Sequence, residues 1–542
     1  MEDLDSLRDG LVEGRLDRRL FVQKALALGI SLPAAGVLLS AWGRGGADVA
    51  VAAVEATPRR GGVLKFARNF EPVTLGPFGA ADNGTIWTIM MIYDQLVEYQ
   101  PGTFDPQPGL ARSWTVSNGG KTYTFHLRDA RFSDGSPVTA ADVKFSLDRF
   151  KNPKINTLLP FLATTIASVA APNPKTVVLH LKRPDGALLS NLTVFPASIT
   201  PKAVVTRLGD KAFAARPVGS GPFVFDTWVR GQYLRLRRNP HHWRPGQPYL
   251  DGIEFDFINN DNTRILKLQS GEIDVAENIP FSQVDALNKG KTRVEIAPLA
   301  SIDAVWLNNN HKPLNDRLVR QALNYATDKN AINRVVYFNH ATVANAIYPF
   351  FKYTDPSVKN YPYDIKKARE LMKKSSAPNG FSLTILIPSE DQTKAQMMAV
   401  IKQLWAQIGV KVTIQNMETN ALFTKYMQGD YEASDPLPSI TSDVLVPDEL
   451  ALAWLEPNGV QHGFWSYYTS KQAWALTLAA NSTTNEAKRR HLFSQIQHLT
   501  LADAPWVPLF FVPARTGLSS KVQNFHTLES GWWNLWEAWK TA

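Results

Sequence analysis

The stretch "FSLTILIPSEDQTKAQMMAVIKQLWAQIGVKVTIQNM", residues 381–417, decides the fold class of this 542-residue chain. Its first eight residues form a nearly continuous apolar run, which is typical of a strand covered on both faces. Met397, Ile401 and Ile408 then follow at helical spacing up to Gly409, and "VKVTIQNM" reads as a second strand. A strand, a helix and a strand in this order require a parallel pair joined by a right-handed crossover. The stretch therefore predicts an α/β fold.

Nearer the N-terminus, residues 108–150 predict a β-hairpin that leads into a helix. "KTYTFHLR", residues 121–128, alternates apolar and polar side chains as a half-buried strand does. Gly119-Gly120 before it and Asp134-Gly135 after it supply the turns. Thr139 is a suitable N-cap for the helix that follows, with Asp142 three residues later. Residues 315–328 predict another amphipathic helix. The chain thus mixes α and β elements throughout.

Length and composition limit the class of protein. A chain of 542 residues is too long for one hydrophobic core, so several structural units are expected. The absence of cysteine excludes disulfides, thiolate catalysis and a lipid-modified N-terminal cysteine. The formal net charge is +9, but Lys and Arg are dispersed along the chain. We therefore expect no nucleic-acid partner and no lipoprotein anchor.

The N-terminal residues 18–42 have the pattern of an export signal. Arg18 and Arg19 precede Leu20 and Phe21, and a short apolar stretch leads to a segment of small residues where signal cleavage patterns occur. The arginine pair followed by Phe21 resembles the twin-arginine signal, whose pathway exports folded proteins. An uncleaved membrane anchor is the alternative interpretation. Both interpretations predict a protein that acts outside the cytoplasm.

The common catalytic motifs are missing from the sequence. It has no G-x-S-x-G nucleophile turn, no P-loop, no H-E-x-x-H pair and no glycine-rich dinucleotide turn in the required context. His241 and His242 are adjacent, but a metal site needs three or more convergent ligands. We therefore expect neither an enzyme nor a cofactor nor a metal.

Seven segments, in order, carry a resemblance to a known family. The chain resembles the extracytoplasmic solute-binding proteins of family 5, the peptide and nickel class that serves ABC importers and includes the dipeptide- and oligopeptide-binding proteins. The similar segments are residues 61–78, 108–150, 218–255, 271–280, 306–332, 404–414 and 504–511. They span nearly all of the chain beyond the export signal.

The resemblance implies a two-lobed α/β fold of the type II, cluster C-like periplasmic-binding-protein kind, with an inserted domain and a two-stranded hinge. The expected parts are the signal and tether at 1–56, a base lobe at 57–90, 200–300 and 505–542, the inserted domain at 91–199 and a second lobe at 301–504. The hinge crossovers are expected near residues 296–305 and 504–511. The implied protein is a periplasmic monomer that captures a peptide-like solute between its lobes and delivers it to a permease and ATPase complex.

Acidic residues in "TSDVLVPDEL", residues 441–450, raise the question of a binding site. Peptide-binding members of the family have a Trp, then an Asp three residues later, then a Pro, and that Asp pairs with the ligand's α-ammonium. Ile440, Asp443 and Pro447 stand at those positions here, so the resemblance implies that Asp443, with Ile440 and Ser442 beside it, binds a cationic group. A turn aspartate is the alternative. Asp448 and Glu449 fit a structural role at a helix N-terminus.

Other candidates come from segments that supply cleft residues in the family. Trp306, Trp465 and Tyr467 would be aromatic walls, with the hydrophobic core as the alternative. Glu71, in residues 69–77, would lie on the base-lobe side. Two rival functions remain open: the same fold binding an oligosaccharide or glycoside, and an exported hydrolase.

Overall fold

The computed structural model describes residues 57–79, 82–346, 351–389, 391–435, 440–457 and 466–541. The chain divides into two compact units, Met1–Pro58 and Arg59–Ala542. All elements below belong to the second unit. The export-signal residues Arg18, Arg19 and Phe21 lie outside the described residues.

The first large sheet has seven strands, and Val63–Arg68 lies at its centre. This strand pairs in parallel with Gly252–Phe257 on one side and with Val275–Ala276 on the other. In spatial order the strands are Thr292–Ala297, Ala514–Ser519, Val275–Ala276, Val63–Arg68, Gly252–Phe257, Tyr233–Arg238 and Phe223–Val229.

The second large sheet contains the predicted β-α-β unit. Phe381–Pro388 pairs in parallel with Val410–Met417, and the helix Gln392–Ala406 connects them, which confirms that prediction. In order, the strands are Thr342–Val343, Trp506–Phe511, Ser301–Leu307, Ala433–Ser434, Phe381–Pro388 and Val410–Met417, with Ile440–Thr441 pairing to Ser301–Leu307.

Two glycines allow the two strands of this unit to start side by side. Gly380 and Gly409 precede the strands, with φ of +83° and +84°. A Cβ on Gly380 would come within 2.0 Å of the Gly409 carbonyl oxygen. Only a residue without a side chain combines this conformation with so close an approach.

A four-stranded antiparallel sheet follows the first strands and contains the predicted hairpin. Its order is Ala111–Ser117, Thr122–Leu127, Thr176–Leu181 and Ile166–Asn173. The helix Ala140–Phe150 then begins with the Thr139 and Asp142 capping box, as predicted. Two-stranded ribbons pair Val97–Glu98 with Gln107–Pro108, Val522–Gln523 with Trp539–Lys540, and His526–Thr527 with Trp533–Asn534.

Helices cover the sheets and connect their strands. Arg317–Tyr325 begins at the N-cap Asp316 and buries Val319 and Leu323, as expected from the sequence. The other α-helices in the described ranges are Asn83–Ile89, Ala140–Phe150, Leu188–Asn191, Lys202–Leu208, Asp210–Ala215, Asp261–Ser270, Val284–Leu287, Lys329–Val336, Ile365–Lys374, Gln392–Ala406, Thr419–Met427, Asp448–Leu455, Lys471–Asn481 and Glu486–Asp503. Short 3₁₀ turns lie at Asn118–Gly120, Pro160–Ala163, Phe195–Ala197, Phe281–Gln283 and Phe351–Tyr353.

The chain passes between the two large sheets at two places. It leaves the first sheet after Thr292–Ala297 and enters the second at Ser301–Leu307; it returns from Trp506–Phe511 to Ala514–Ser519. A lobe boundary before residue 505 therefore does not coincide with the boundary between the sheets, because Trp506–Phe511 belongs to the second sheet. The other domain boundaries stay a prediction.

Candidate functional site

The loop that carries Asp443 begins beside a crossover between the sheets. Ile440 and Thr441 pair with Ile302 and Ser301 at the start of the second sheet's strand. The Ser442 amide then donates to the Ala300 carbonyl oxygen at 2.6 Å. The loop is thus anchored to the chain segment that connects the two sheets.

Glu449 holds this loop in one conformation. Its Oε2 atom accepts hydrogen bonds from the Asp443 amide at 2.9 Å and the Val444 amide at 3.1 Å, and it lies 3.0 Å from the Ser442 hydroxyl. Sequence analysis expected Glu449 to serve the N-terminus of its own helix; the structure shows its carboxylate turned to the preceding loop. The backbone of Asp443 is therefore held in place by the Glu449 carboxylate.

The Asp443 side chain borders a narrow cavity. The open space within it is about 10 Å³, on the order of one water molecule. Three separate parts of the chain form the other walls: the helix Asn83–Ile89 with its C-cap, the segment before Phe195–Ala197, and a segment near the C-terminus. The lining residues are Ile86, Trp87, Met90, Thr193, Val194, Phe195, Asp443, Ser530 and Trp532.

Asp443 is the one ionisable group among these lining residues. Within the described ranges, no donor forms a hydrogen bond or ion pair with its carboxylate. Burial, and then the neighbouring Glu449 carboxylate, raise the pKa of Asp443 well above its usual range. Burial also raises the pKa of Glu449 to about 7, although its three hydrogen bonds oppose this. A cation placed beside Asp443 would relieve the cost of ionising it.

Of the residues predicted from sequence, Asp443 lines this cavity. Ser442 and Ile440 lie in the same loop, Ser442 next to Asp443 with its hydroxyl on Glu449, and Ile440 paired through its backbone with Ile302. Trp306 lies elsewhere: it is 1% exposed and packs against Trp454 and Trp506, with ring centroids 5.1 and 4.7 Å away. These tryptophans belong to the hydrophobic core, which was the alternative interpretation of Trp306.

Glu71 and Tyr467 also have neighbours away from the cavity. Glu71 accepts hydrogen bonds from the Trp228 indole at 2.9 Å and the Gly231 amide at 3.0 Å. Tyr467 packs closely on Gly429. A Cβ added to Gly429 would lie 1.7 Å from the hydroxyl oxygen of Tyr467. Trp465 lies outside the described residues.

Sequence reasoning did not find Trp87, Phe195, Ser530 and Trp532. No local motif distinguishes them from ordinary core or loop residues, and they reach the cavity from distant parts of the chain. The lack of any spacing pattern among them explains the omission.

The part of the chain that the structure describes holds no group of three or more His, Asp and Glu side chains arranged for a metal. Burial, with Arg244 beside it, lowers the pKa of His242 to about 3, so its ring stays neutral. Within the same residues, no helix has the length and apolar character needed to span a membrane.

Comparison with known proteins gives one consistent family. Residues 105–461 match the model for the bacterial extracellular solute-binding proteins, family 5, middle region. The glutathione-binding protein GsiB of Escherichia coli strain K12 is 31% identical over 420 residues, which cover 74% of this chain and 79% of GsiB.

Solved structures agree with this result. The ABC transporter-associated periplasmic binding protein DppA of Helicobacter pylori, in complex with the peptide STSA, superposes with a TM-score of 0.80 at 28% identity, covering 89% of this chain and 99% of DppA. The binding protein AgaA of A. tumefaciens R10, in complex with agropinic acid, gives a TM-score of 0.79 at 27% identity, with coverage of 89% and 99%. The two-lobed periplasmic-binding-protein fold expected from sequence is thereby confirmed.

Proposed function

This chain belongs to family 5 of the bacterial extracellular solute-binding proteins, and on that premise we propose that it captures a peptide or another amine-bearing solute. As a member of this family it is the solute-binding component of an ABC importer and not an enzyme. The solute's ammonium group pairs with Asp443.

One observation carries the proposal: a partly buried carboxylate lines a cavity and has no counter-charge among the described residues. An ammonium offers three hydrogen-bond donors, and a charge-assisted bond in a site of low dielectric constant is stronger than one in water. Such a ligand would compensate the burial that now raises the pKa of Asp443.

The relatives support a ligand of this class. GsiB is named for binding glutathione, and DppA of Helicobacter pylori was solved with a tetrapeptide. Both of those ligands are peptides that carry an amino group. An oligosaccharide or glycoside is the second candidate, because Trp87 and Trp532 line the cavity and indoles stack on sugar rings.

Capture uses the two-lobed architecture. Asp443 comes from a loop attached to the second sheet, whereas Trp87 follows the first strand of the first sheet. The Leu445 amide donates to the Tyr99 hydroxyl at 3.0 Å and so joins the Asp443 loop to a segment outside the second sheet. A ligand that contacts both sides would favour the closed arrangement by its differential affinity for it.

The test uses a free peptide, the same peptide with an acetylated N-terminus, and a panel of oligosaccharides. Binding raises the melting temperature through a stabilisation of RT ln(1 + [L]/Kd). We expect the free peptide to stabilise the protein and the acetylated peptide to have little effect. Asp443→Asn should remove the response to the free peptide while the unliganded melting temperature stays similar.

The matched control is Asp226→Asn, since Asp226 is exposed on a strand of the first sheet. It should bind as the unchanged protein does. Equal responses to the free and acetylated peptides, or full binding by Asp443→Asn, would remove Asp443 from the site. A response confined to the oligosaccharides would favour the second candidate.

We also propose that the protein is exported by the twin-arginine pathway and works in the periplasm as a monomer. The support is the Arg18-Arg19 pair with Phe21 and the apolar stretch after it. Replacing both arginines by lysine preserves charge and should leave an unprocessed precursor in the cytoplasm; normal export of that variant would exclude this pathway. Light scattering of the exported protein measures its oligomeric state.

A further inference from the structure

A second cavity lies at the edge of the second large sheet and shares no described lining residue with the cavity beside Asp443. Its described lining residues belong to three short segments, 327–330, 343–345 and 359–363. The open space within it is about 250 Å³. Since about 150 Å³ is enough to hold a benzene molecule, this cavity has room for a small organic ligand.

Hydrogen bonds hold the walls of this cavity in place. The Asn360 side-chain amide donates to the carbonyl oxygens of Ala344 at 2.6 Å and Pro508 at 3.1 Å. The Tyr361 hydroxyl donates to the Leu501 carbonyl oxygen at 2.8 Å. These bonds join the segment 359–363 to the second large sheet and to the helix Glu486–Asp503. The cavity is therefore part of the packed fold.

A buried amine, that of Lys329, belongs to the lining of this cavity. The residue is 5% exposed, and its Nζ donates to the Tyr361 carbonyl oxygen at 3.2 Å. An ammonium has three donors, and among the described residues no carboxylate forms an ion pair with this one. The neighbouring Asp328 carboxylate instead accepts from the Ala331 amide at 2.9 Å and caps the helix. Burial lowers the pKa of Lys329 to about 7, although the charge of Asp328 opposes this. The amine therefore lacks the counter-charge that a buried ammonium requires.

The charges at this cavity favour an anion, and its walls favour an apolar body. The described lining residues include two cationic side chains, Lys329 and Lys359, and one carboxylate, Asp328. They also include apolar side chains such as Val343 and Pro362. An inorganic anion would leave the apolar walls in contact with water, whereas a neutral molecule would leave the ammonium without a counter-charge. A carboxylate with an apolar body satisfies both requirements.

We propose that this cavity is a second binding site, for a small organic carboxylate whose charged group pairs with the Lys329 ammonium and whose body contacts Val343 and Pro362. The site does not depend on the proposed function. None of its described lining residues comes from the Asp443 loop or from the first large sheet. A bound carboxylate supplies the counter-charge that the fold leaves out.

Three probes separate charge from shape. Benzoate has both the ring and the carboxylate, benzamide has nearly the same shape without the charge, and inorganic phosphate has the charge without the ring. Isothermal titration is carried out at about pH 6.5, where an amine with a pKa of about 7 is mostly protonated. Benzoate should bind, and benzamide and phosphate should each bind at least about tenfold more weakly. Absence of benzoate binding, or equal binding of either other probe, would overturn the proposal.

Variants assign the binding to this cavity. Lys329→Met removes the ammonium and should weaken benzoate binding at least about tenfold. The matched control is Lys366→Met, at an exposed position on the helix Ile365–Lys374, which should bind benzoate as the unchanged protein does. Asp443→Asn should also bind benzoate normally, and this separates the second site from the proposed ammonium site. Normal binding by Lys329→Met, or lost binding in Asp443→Asn, would overturn the proposal.

A measurement on the unchanged protein avoids any effect of substitution on folding. Acetic anhydride acetylates neutral amines, and peptide mass spectrometry gives the rate at Lys329 separately from that at Lys366. Benzoate should slow acetylation of Lys329 by a factor of 1 + [L]/Kd and leave Lys366 unaffected. Benzamide at the same concentration should protect neither residue. Equal rates at Lys329 with and without benzoate, or no reaction at Lys329, would show that the amine is not reached from the cavity and would overturn the site.

Discussion

The Arg489 guanidinium and the Asp448 carboxylate form a buried ion pair, with Nη2 2.6 Å from Oδ2 and Nη1 3.3 Å from Oδ1. Both side chains are 1% exposed. Arg489 also donates to the Ala480 carbonyl oxygen at 2.7 Å and to the Tyr353 hydroxyl at 3.0 Å. Asp448 therefore joins the helix that follows the Asp443 loop to the helix Glu486–Asp503, in agreement with the structural role expected from sequence.

Arg489→Met should destabilise the protein by about 3–5 kcal/mol, because it leaves the Asp448 carboxylate buried without a partner. Urea denaturation followed by tryptophan fluorescence measures the change. Arg490→Met is the matched control: Arg490 pairs with Glu486 at the surface and is about half exposed, so its loss should cost less than about 1 kcal/mol. If the two variants lose similar amounts of unfolding free energy, the buried ion pair does not stabilise the protein more than the surface pair does.

Binding of a peptide's ammonium should strengthen as the pH rises towards about 7.7, where the α-ammonium begins to lose its own proton. Burial raises the pKa of Asp443 well above its usual range and that of Glu449 to about 7, so without a cation the pair keeps a proton to higher pH than ordinary carboxylates do. An ammonium favours the ionised carboxylate, so binding must release a proton. Below the pKa of the group that ionises, affinity should fall by up to about tenfold per pH unit.

Calorimetry from about pH 5.5 to about pH 7.5, below the α-ammonium pKa of about 7.7–8.0, in buffers with different ionisation enthalpies, measures both the affinity and the proton release. Glu449→Gln removes the neighbouring charge that helps to raise the pKa of Asp443, so the pH profile should move to lower pH. An affinity that stays constant over this range, with no proton release, would show that the carboxylates are already ionised before binding.

Lys329→Met should stabilise the protein at neutral pH. Lys329 is 5% exposed, its Nζ donates to the Tyr361 carbonyl oxygen at 3.2 Å, and burial lowers its pKa to about 7. Between pH 7 and the unfolded-state pKa of about 10.4, the unfolded chain binds more protons, so this residue makes stability rise with pH and fall as pH decreases towards 7. Methionine has no charge, so it removes the free-energy cost of burying the Lys329 side chain.

The expected gain at pH 7 is on the order of 2–4 kcal/mol, and it should shrink towards pH 10. Chemical denaturation at several pH values gives the difference between the two proteins. Lys359→Met, at an exposed neighbouring position, is the control and should show no such trend. A loss of stability in Lys329→Met at every pH would mean that the bond to Tyr361 outweighs the cost of burial.

The elements that were predicted correctly are those whose structure is determined by residues close together in the sequence. The apolar run at residues 381–388, the helical spacing after it and Gly409 define a β-α-β unit without reference to distant residues. The Thr139 and Asp142 capping box is equally local. Trp306 shows the limit of such reasoning: an aromatic residue near a crossover serves a cleft or a core equally well, and only its packing against Trp454 and Trp506 assigns it to the core.

The sequence by itself determined the α/β class, the main local elements and, through the family resemblance, Asp443 as the candidate for an ammonium. These depend on residue spacing and on short motifs, both of which can be read directly from the linear sequence. Only the tertiary structure decided which residues surround Asp443: Trp87 comes from the start of the described chain and Ser530 and Trp532 from its end. The physical reason is that a cavity arises from packing between segments that are distant in the chain, and no periodicity along the sequence records such packing.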